Sequence, residues 1–262
     1  MKRLPAGQFM PIPSPLHGLN ALAKLVCFFL TLGAVVLTNS LSGYALMLLF
    51  TAFSVLLCRL PASVTLFPLV RMRFFFLFIF LMNALFFGAQ TPLFTWWVFR
   101  PSLEGMAQGA NVVLRVALLM VLSAVLTSTT APVDLTNALV RLMRPLKLFK
   151  APVEDIAMII SVAIRFIPTL LEEADTLKKA QTARGARFES RSLKDRALSV
   201  TPLVVPIFIA AFRRADELAL AMEARGYRAG KKRVSKAYPP LTRADYAALA
   251  LCLLLLALQI YL

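Results

Sequence analysis

The chain has 262 residues, of which 59% are hydrophobic, and a formal net charge of +16. Soluble domains contain about 45–50% apolar residues, so this composition excludes a soluble globular enzyme and predicts a membrane protein. The charge does not indicate a nucleic-acid partner, because 21 of the 29 Lys and Arg residues and 11 of the 13 acidic residues lie together between Pro132 and Arg243, in one long polar insert.

Uncharged runs mark the membrane helices in chain order. A helix needs about 17–25 residues to cross a bilayer, and residues 25–57, 74–99, 116–133 and 246–262 contain no charged side chain. The first run is long enough for two helices, and the polar residues and glycine at 39–43 break it at a tight hairpin. After a proline-rich lead-in, we therefore predict membrane helices at residues 21–38, 43–58, 74–89, 110–128 and 246–262.

The third and fourth membrane helices are separated by residues 90–109, which include two prolines and two tryptophans. This composition is typical of a loop at the membrane surface with aromatic anchors. Arg115 follows near the predicted start of the fourth helix, where its side chain can snorkel to the headgroups or make a structural hydrogen bond. An arginine inside the membrane is the alternative, and it would mark a functional site.

The polar insert is predicted to form three helices, at residues 133–147, 153–184 and 197–225. The second spans about 32 residues, or close to 48 Å at 1.5 Å per residue, and Pro168 is expected to kink it. The apolar first halves of the two long helices, residues 156–171 and 197–212, are shorter than a membrane span and contain proline. They favour helices on the membrane surface, with a further pair of spans as the alternative.

The distribution of basic residues predicts the topology. They cluster in the N-terminal segment, in the loop after the second helix and in the insert, so the positive-inside rule places these parts in the cytoplasm and the C-terminus outside. We expect an all-α, multi-pass protein of the cell membrane. It would consist of a lead-in with four membrane helices at 1–131, the insert at 132–243 and the last span at 244–262.

The two long helices of the insert are expected to end in the same three residues, 41 positions apart, with another arginine two positions further on. Glycine closes a helix in the left-handed conformation, and arginine in the last turn complements the helix dipole. An ordinary helix cap would explain either triplet alone. Two of them, with small residues beside an exposed guanidinium, suit paired docking onto carboxylates. The triplets are Ala183-Arg184-Gly185 and Ala224-Arg225-Gly226, and the further arginines are Arg187 and Arg228.

The sequence as a whole resembles the T component of energy-coupling factor (ECF) transporters. The opening Ser14-Pro15-Leu16-His17-Gly18-Leu19-Asn20-Ala21-Leu22-Ala23-Lys24-Leu25 is similar to that of the family, with Asn20-Ala21 in place of the usual Asp-Pro. Asn is itself a good N-cap residue. The other motifs are Thr129-Thr130, Arg165-Phe166-Ile167-Pro168, Glu172-Glu173, Ala180-Gln181-Thr182-Ala183-Arg184-Gly185-Ala186-Arg187 and Ala221-Met222-Glu223-Ala224-Arg225-Gly226-Tyr227.

The resemblance implies a transport subunit that hydrolyses nothing itself. In that family the T component lies between a substrate-binding S component and a pair of cytoplasmic ATPases, which use ATP and Mg²⁺ for uptake of a vitamin or a transition-metal ion. Arg184 and Arg225, with Ala183, Gly185, Ala224 and Gly226, would each engage one ATPase near an acidic residue. Arg165, Pro168, Arg187 and Arg228 would support them, and this chain would bind no cofactor or metal.

Two other classes stay open as alternatives. A lipid-modifying membrane enzyme would need converging acid and base groups, yet the chain has one histidine, His17, and its paired acids are sequence neighbours that diverge on a helix. A channel or secondary carrier would need ionisable residues in mid-membrane, where the predicted spans offer little besides Arg115 and Asn83. The basic stretches lack the interleaved aromatic residues of a nucleic-acid site, and we expect none.

Overall fold

All regular structure that the computed structural model describes is α-helical, which confirms the predicted class. The described residues are 14–59, 62–87, 102–143, 153–186, 188, 193–228 and 240–262. Within them the helices are α1 (Ala21–Leu37), α2 (Leu41–Cys58), α3 (Ala62–Arg71), α4 (Arg73–Phe86), α5 (Leu103–Thr129), α6 (Pro132–Leu142), α7 (Val153–Ala183), α8 (Leu193–Ala224) and α9 (Arg243–Tyr261).

Several of these helices suit a bilayer, as a polytopic membrane protein requires. Helices α2, α5 and α9 are long and apolar enough to cross it, and α3 and α4 together form a fourth candidate, bent by 58°. Helix α1 is apolar but has 17 residues, at the lower limit for a span. The five predicted membrane segments correspond to these three helices, the bent pair and α1.

The predicted loop between the second and third membrane helices is wrong, because residues 62–71 form helix α3. The charges of Arg59, Arg71 and Arg73 indicate a cytoplasmic position, but they do not exclude a helix, and Arg71 is the last residue of α3. The residues between them are mostly apolar, and α3 packs against α5. The chain then bends at Met72 and continues as α4.

The predicted start of the fourth membrane helix, at residue 110, is also wrong. Helix α5 begins at Leu103, where the Ser102 hydroxyl caps it by accepting a hydrogen bond of 2.9 Å from the Gly105 N–H. Ser102 also donates to the Phe87 carbonyl at 2.7 Å, which ties the end of α4 to the start of α5. Residues 103–109 therefore belong to the helix, whereas residues 88–101 of the predicted surface loop lie outside the described part.

Two glycines one helical turn apart bring α4 and α5 close together. A Cβ atom added at Gly105 would lie 2.7 Å from the backbone carbonyls of Asn83 and Phe87, and one at Gly109 would lie 3.1 Å from the Phe80 carbonyl. Small residues spaced by four are a common basis for close helix packing in membranes. The Asn83 side chain bonds within its own helix, to the Ile79 carbonyl at 2.9 Å.

Replacing Gly105 by alanine is expected to destabilise the protein, because neither clashing carbonyl can move without shifting α4. The cost of such overpacking is about 1–3 kcal/mol. The matched control is Gly33→Ala, where the nearest atom to the new methyl group is Leu256 Cδ1 at 3.7 Å. The thermal midpoint in detergent should fall for G105A and stay constant or rise for G33A. Equal midpoints for the two variants would contradict the close packing.

The chain forms two compact units, Met1–Arg141 with Ala237–Leu262, and Leu142–Lys236. The first contains the membrane helices, with a core that includes Val35, Met47 and Leu118. Helix α6 ends at Leu142, five residues before its predicted end. The second unit contains α7 and α8, whose 31 and 32 residues agree closely with the predicted lengths.

Candidate functional site

The two Ala-Arg-Gly triplets close α7 and α8 with the same hydrogen-bond pattern. In each, the glycine N–H bonds to the carbonyl three residues back, and the next N–H bonds to the carbonyl five residues back, which is the Schellman motif. The glycines have φ of +91° at Gly185 and +74° at Gly226, as that motif requires. The bonds are Gly185 to Thr182 at 3.0 Å, Ala186 to Gln181 at 3.0 Å, Gly226 to Glu223 at 2.8 Å and Tyr227 to Met222 at 2.9 Å.

The arginine in each triplet stands at the helix end with open space beside it. Arg184 and Arg225 are exposed, and in the described part of the chain neither is in an ion pair with a carboxylate. A Cβ atom added at Gly185 or Gly226 would have no neighbour within 4 Å. Another backbone can therefore approach each guanidinium closely, while the fork of N–H groups stays available for a carboxylate.

Helices α7 and α8 contact each other at two residues that are 41 positions apart, which is also the separation of the two triplets. Arg214 of α8 forms two hydrogen bonds with the Glu173 carboxylate of α7, at 3.2 and 3.3 Å, and lies 41 residues after it. The triplet arginines have the same separation, so Arg184 lies as far beyond Glu173 as Arg225 lies beyond Arg214. Both positions precede the triplet arginine by 11 residues, or about 16 Å of helix.

A second contact shows the direction of α8 relative to α7. The Tyr227 hydroxyl, just beyond the end of α8, donates to the Asp155 carboxylate near the start of α7 at 3.4 Å. The helices therefore run antiparallel, and the two triplets lie on opposite sides of the Glu173–Arg214 contact. We call the stretch of each helix between this contact and its triplet arginine an arm. Because each arm is about 16 Å long, Arg184 and Arg225 are separated by about 30 Å along the helix pair. The sequence indicated two equivalent ends but did not indicate that they point in opposite directions.

The predicted supporting residues are distributed unevenly around this pair. Arg165 and Pro168 both lie within α7, and Arg228 is exposed just after the second triplet. Arg187 lies outside the described residues. Phe166, which belongs to the same four-residue motif as Arg165 and Pro168, is 5.7 Å below the Arg214 guanidinium. This aromatic contact at the helix crossing was missed in the sequence, which gave no reason to prefer Phe166 over its neighbours.

A polar cluster in the membrane unit was also missed. The buried Lys24 ammonium donates to the Thr129 carbonyl at 3.0 Å and to the His17 carbonyl at 3.2 Å. It thereby joins the start of α1 to the end of α5. A lysine in an otherwise uncharged helix is a signal that should have suggested a specific partner.

Asp245 completes this cluster. It is fully buried, and its carboxylate accepts hydrogen bonds from the Asn20 N–H at 2.8 Å and from the Thr242 N–H at 2.7 Å. Thr242 and Asp245 form a capping box at the start of α9, and Asn20 is the N-cap of α1, as expected for Asn at that position. Lys24 connects α1 to the end of α5, where the chain leaves the membrane helices. Asp245 connects α1 to the start of α9, where the chain returns to them. The Thr-x-x-Asp pattern before an apolar run was the available signal.

Arg115 lies in the middle of α5, so the predicted position near a helix start is wrong. Its Nη2 donates to the Thr38 carbonyl, to Asn39 Oδ1 at 3.3 Å and to the Tyr44 hydroxyl at 3.2 Å. The predicted structural hydrogen bond is present, and its acceptors belong to the α1–α2 hairpin. The Nε atom of Arg115 is buried, and among the described residues it has no acceptor.

Comparison with known proteins identifies close relatives of the whole chain. Residues 13–236 match the family model described as cobalt transport protein. The chain is 43% identical over 230 residues to a protein of Brevibacillus brevis, covering 88% of this chain and 87% of the relative. It is 38% identical over 256 residues to one of Bacillus subtilis, with 98% and 97% covered. Both relatives carry the name energy-coupling factor transporter transmembrane protein EcfT.

Proposed function

The chain belongs to the cobalt transport protein family as the transmembrane component of an ECF transporter, and from this premise we propose that it couples a pair of cytoplasmic ATPases to a substrate-binding S component. The observation that carries the proposal is the pair of exposed arginines on two equal and opposite helix arms. A symmetric ATPase dimer offers the same surface twice, and one chain can meet both copies only by repeating its own docking element. Helices α7 and α8 are such a repeat.

The chemistry of each triplet suits a carboxylate in a surface groove. The arginine fork can bind both oxygens of a carboxylate, which gives the contact a defined direction as well as charge. Alanine and glycine beside it admit the partner's backbone. Each arm would then be fixed to one ATPase subunit, at Arg184 or Arg225.

A mechanism follows from the position of the crossing. When the ATPase dimer closes on ATP, the two grooves approach each other and draw the ends of the arms with them. The Glu173–Arg214 contact lies at the same distance from both ends, so it is the natural pivot of the pair. Helices transmit such a displacement along their axes because their backbone hydrogen bonds resist bending. The motion would reach the S component, which selects the vitamin or transition-metal cargo.

In this proposal the chain is not an enzyme, and ATP and Mg²⁺ are bound by the partner subunits. A channel, secondary carrier or lipid-modifying enzyme is less well supported. Such a protein needs polar groups that are available to substrate inside the membrane. Arg115 and Asn83, by contrast, are engaged with the backbone carbonyls of Thr38 and Ile79.

The proposed topology places both triplets in the cytoplasm and the C-terminus outside the cell membrane. It can be tested with single cysteines at Arg184, Arg225 and the exposed Tyr261, in a background whose three native cysteines are replaced by alanine. A membrane-impermeant maleimide should label Tyr261→Cys in intact cells, and should label Arg184→Cys and Arg225→Cys once the membrane is opened. The cysteine-free background measures unspecific labelling. Labelling of Arg184→Cys in intact cells would overturn the topology and, with it, contact with cytoplasmic ATPases.

A further inference from the structure

The membrane unit contains a cavity of about 400 Å³ between α1, α2, α5 and α9. It lies at the end of the bundle where α1 and α9 begin and α2 and α5 end, which we call the Lys24 end. Its walls are mainly apolar, with Phe28, Phe53, Leu126 and Leu251 among them, and Lys24 lines it as well. It is separate from the two triplets, and nothing in the proposed coupling mechanism uses it.

The cavity exists because α2 and α9 meet at one end and separate toward the other. Away from the Lys24 end, the buried Gln259 amide of α9 donates to the Gly43 carbonyl of α2 at 3.0 Å. From there α9 packs along α1, whereas α2 packs on α5. The side of α9 that faces the gap carries Ala244, Ala247 and Ala248, whose short side chains leave the space open.

The cavity combines an apolar interior with one buried positive charge. The Lys24 side chain is 8% exposed, and among the described residues no carboxylate lies within ion-pair distance of it. Its ammonium has three N–H donors, and two of them bond to the carbonyls of His17 and Thr129. Asp134 and Asp245 act on the Lys24 charge through space without contacting it. The third N–H of the ammonium has no acceptor among the described residues, so an anionic oxygen at this position would complete its hydrogen bonds.

We propose that this cavity binds one acyl chain of an anionic phospholipid, with the lipid phosphate at Lys24. The apolar walls suit a hydrocarbon chain. The ammonium suits the phosphate of a headgroup with net negative charge, in which no choline cation competes for that phosphate. A partner helix is about 10–12 Å across with its side chains and does not fit a space of this volume. With the topology of the proposed function, the Lys24 end faces the cytoplasmic leaflet, which carries anionic lipids.

The test is native mass spectrometry of the purified full-length chain, exchanged into equimolar dioleoyl-phosphatidylglycerol and dioleoyl-phosphatidylcholine. We expect one retained phosphatidylglycerol per chain, with at least fivefold preference over phosphatidylcholine. Ala248→Phe, which fills the cavity and leaves Lys24 in the sequence, should remove most of the bound lipid. Ala250→Phe is the matched control, because residue 250 is exposed on the same helix outside the cavity, and it should retain the lipid.

A Lys24→Met variant distinguishes the contribution of the Lys24 charge to lipid binding from that of the cavity shape. It should still retain a lipid but lose the preference for phosphatidylglycerol, and Lys24→Arg should keep that preference. Equal retention of lipid by the Ala248→Phe and Ala250→Phe variants would overturn the proposal, as would equal binding of the two lipids to the unaltered chain. The measurement needs neither the ATPases nor the S component, so its failure is distinguishable from failure of the proposed function.

Discussion

Replacing Arg184 and Arg225 together by glutamate is expected to abolish co-purification of the ATPase pair and to reduce uptake to background. Each substitution exchanges a bidentate donor for a second negative charge facing the proposed carboxylate. Removing one partner of a hydrogen-bonded charge pair at an interface costs about 2–5 kcal/mol, which is a loss of at least tenfold in affinity per site. Both docking sites are lost at once, so the complex should not survive purification. The measurements are pull-down of the ATPases with tagged chain and uptake of the transported substrate in cells.

The matched control changes the same number of charges on the same two helices. Lys179 and Arg213 are exposed on α7 and α8, and neither lies in a triplet. The double variant Lys179→Glu with Arg213→Glu should keep the ATPases and most of the transport. If the triplet variant co-purifies as well as this control, the arginines are ordinary helix caps and the coupling proposal fails. Either single variant should retain part of the complex, to a similar degree, because the two arms are equivalent.

The helix ends at the two triplets could be predicted from the sequence because their causes are local. A glycine in the left-handed conformation terminates the helix two residues earlier, at Ala183 and Ala224, and the pattern involves residues no more than five apart. The same is true of Asn20, whose side chain caps α1 two residues further on. These features depend on backbone geometry that a single sequence encodes directly.

The errors have a different physical origin. Helix α5 starts at Leu103 because the Ser102 cap is held by the end of α4, a contact between residues 15 positions apart. Helix α3 has flanking arginines, which suggested a loop, and it packs on α5. The opposite directions of the two arms depend on Tyr227 and Asp155, which are 72 residues apart. A sequence pattern does not indicate which distant residues meet, and each of these features depends on such a meeting.

Asp245 joins the two parts of the chain that are most distant in sequence, and its replacement by alanine is expected to have the largest effect on stability. The variant removes the acceptor of the Asn20 N–H, of the Thr242 N–H and of the Thr242 hydroxyl, which bond to the carboxylate at 2.8, 2.7 and 2.9 Å. A fully buried donor that loses its acceptor costs about 1–3 kcal/mol, and these donors lie on the half-buried Asn20 and the exposed Thr242, where water replaces part of the loss. The loss of three bonds that join α1 to α9 is still a large fraction of the whole stability of a folded domain, about 5–15 kcal/mol. We expect a large fall in the thermal midpoint and in the yield of monodisperse protein.

The matched control for Asp245→Ala is Glu104→Ala. Glu104 is the other acidic residue outside the insert, and it is exposed in the first turn of α5, where its interaction with the helix dipole is worth about 0.3–1 kcal/mol. Similar midpoints for the two variants would show that Asp245 contributes charge alone and does not hold α1 and α9 together. Asp245→Asn keeps one acceptor oxygen and should fall between them. In the complex with this milder variant, the ATPases should still hydrolyse ATP but uptake should be reduced. The docking arginines are intact, whereas the end of the insert at Thr242 is held less firmly.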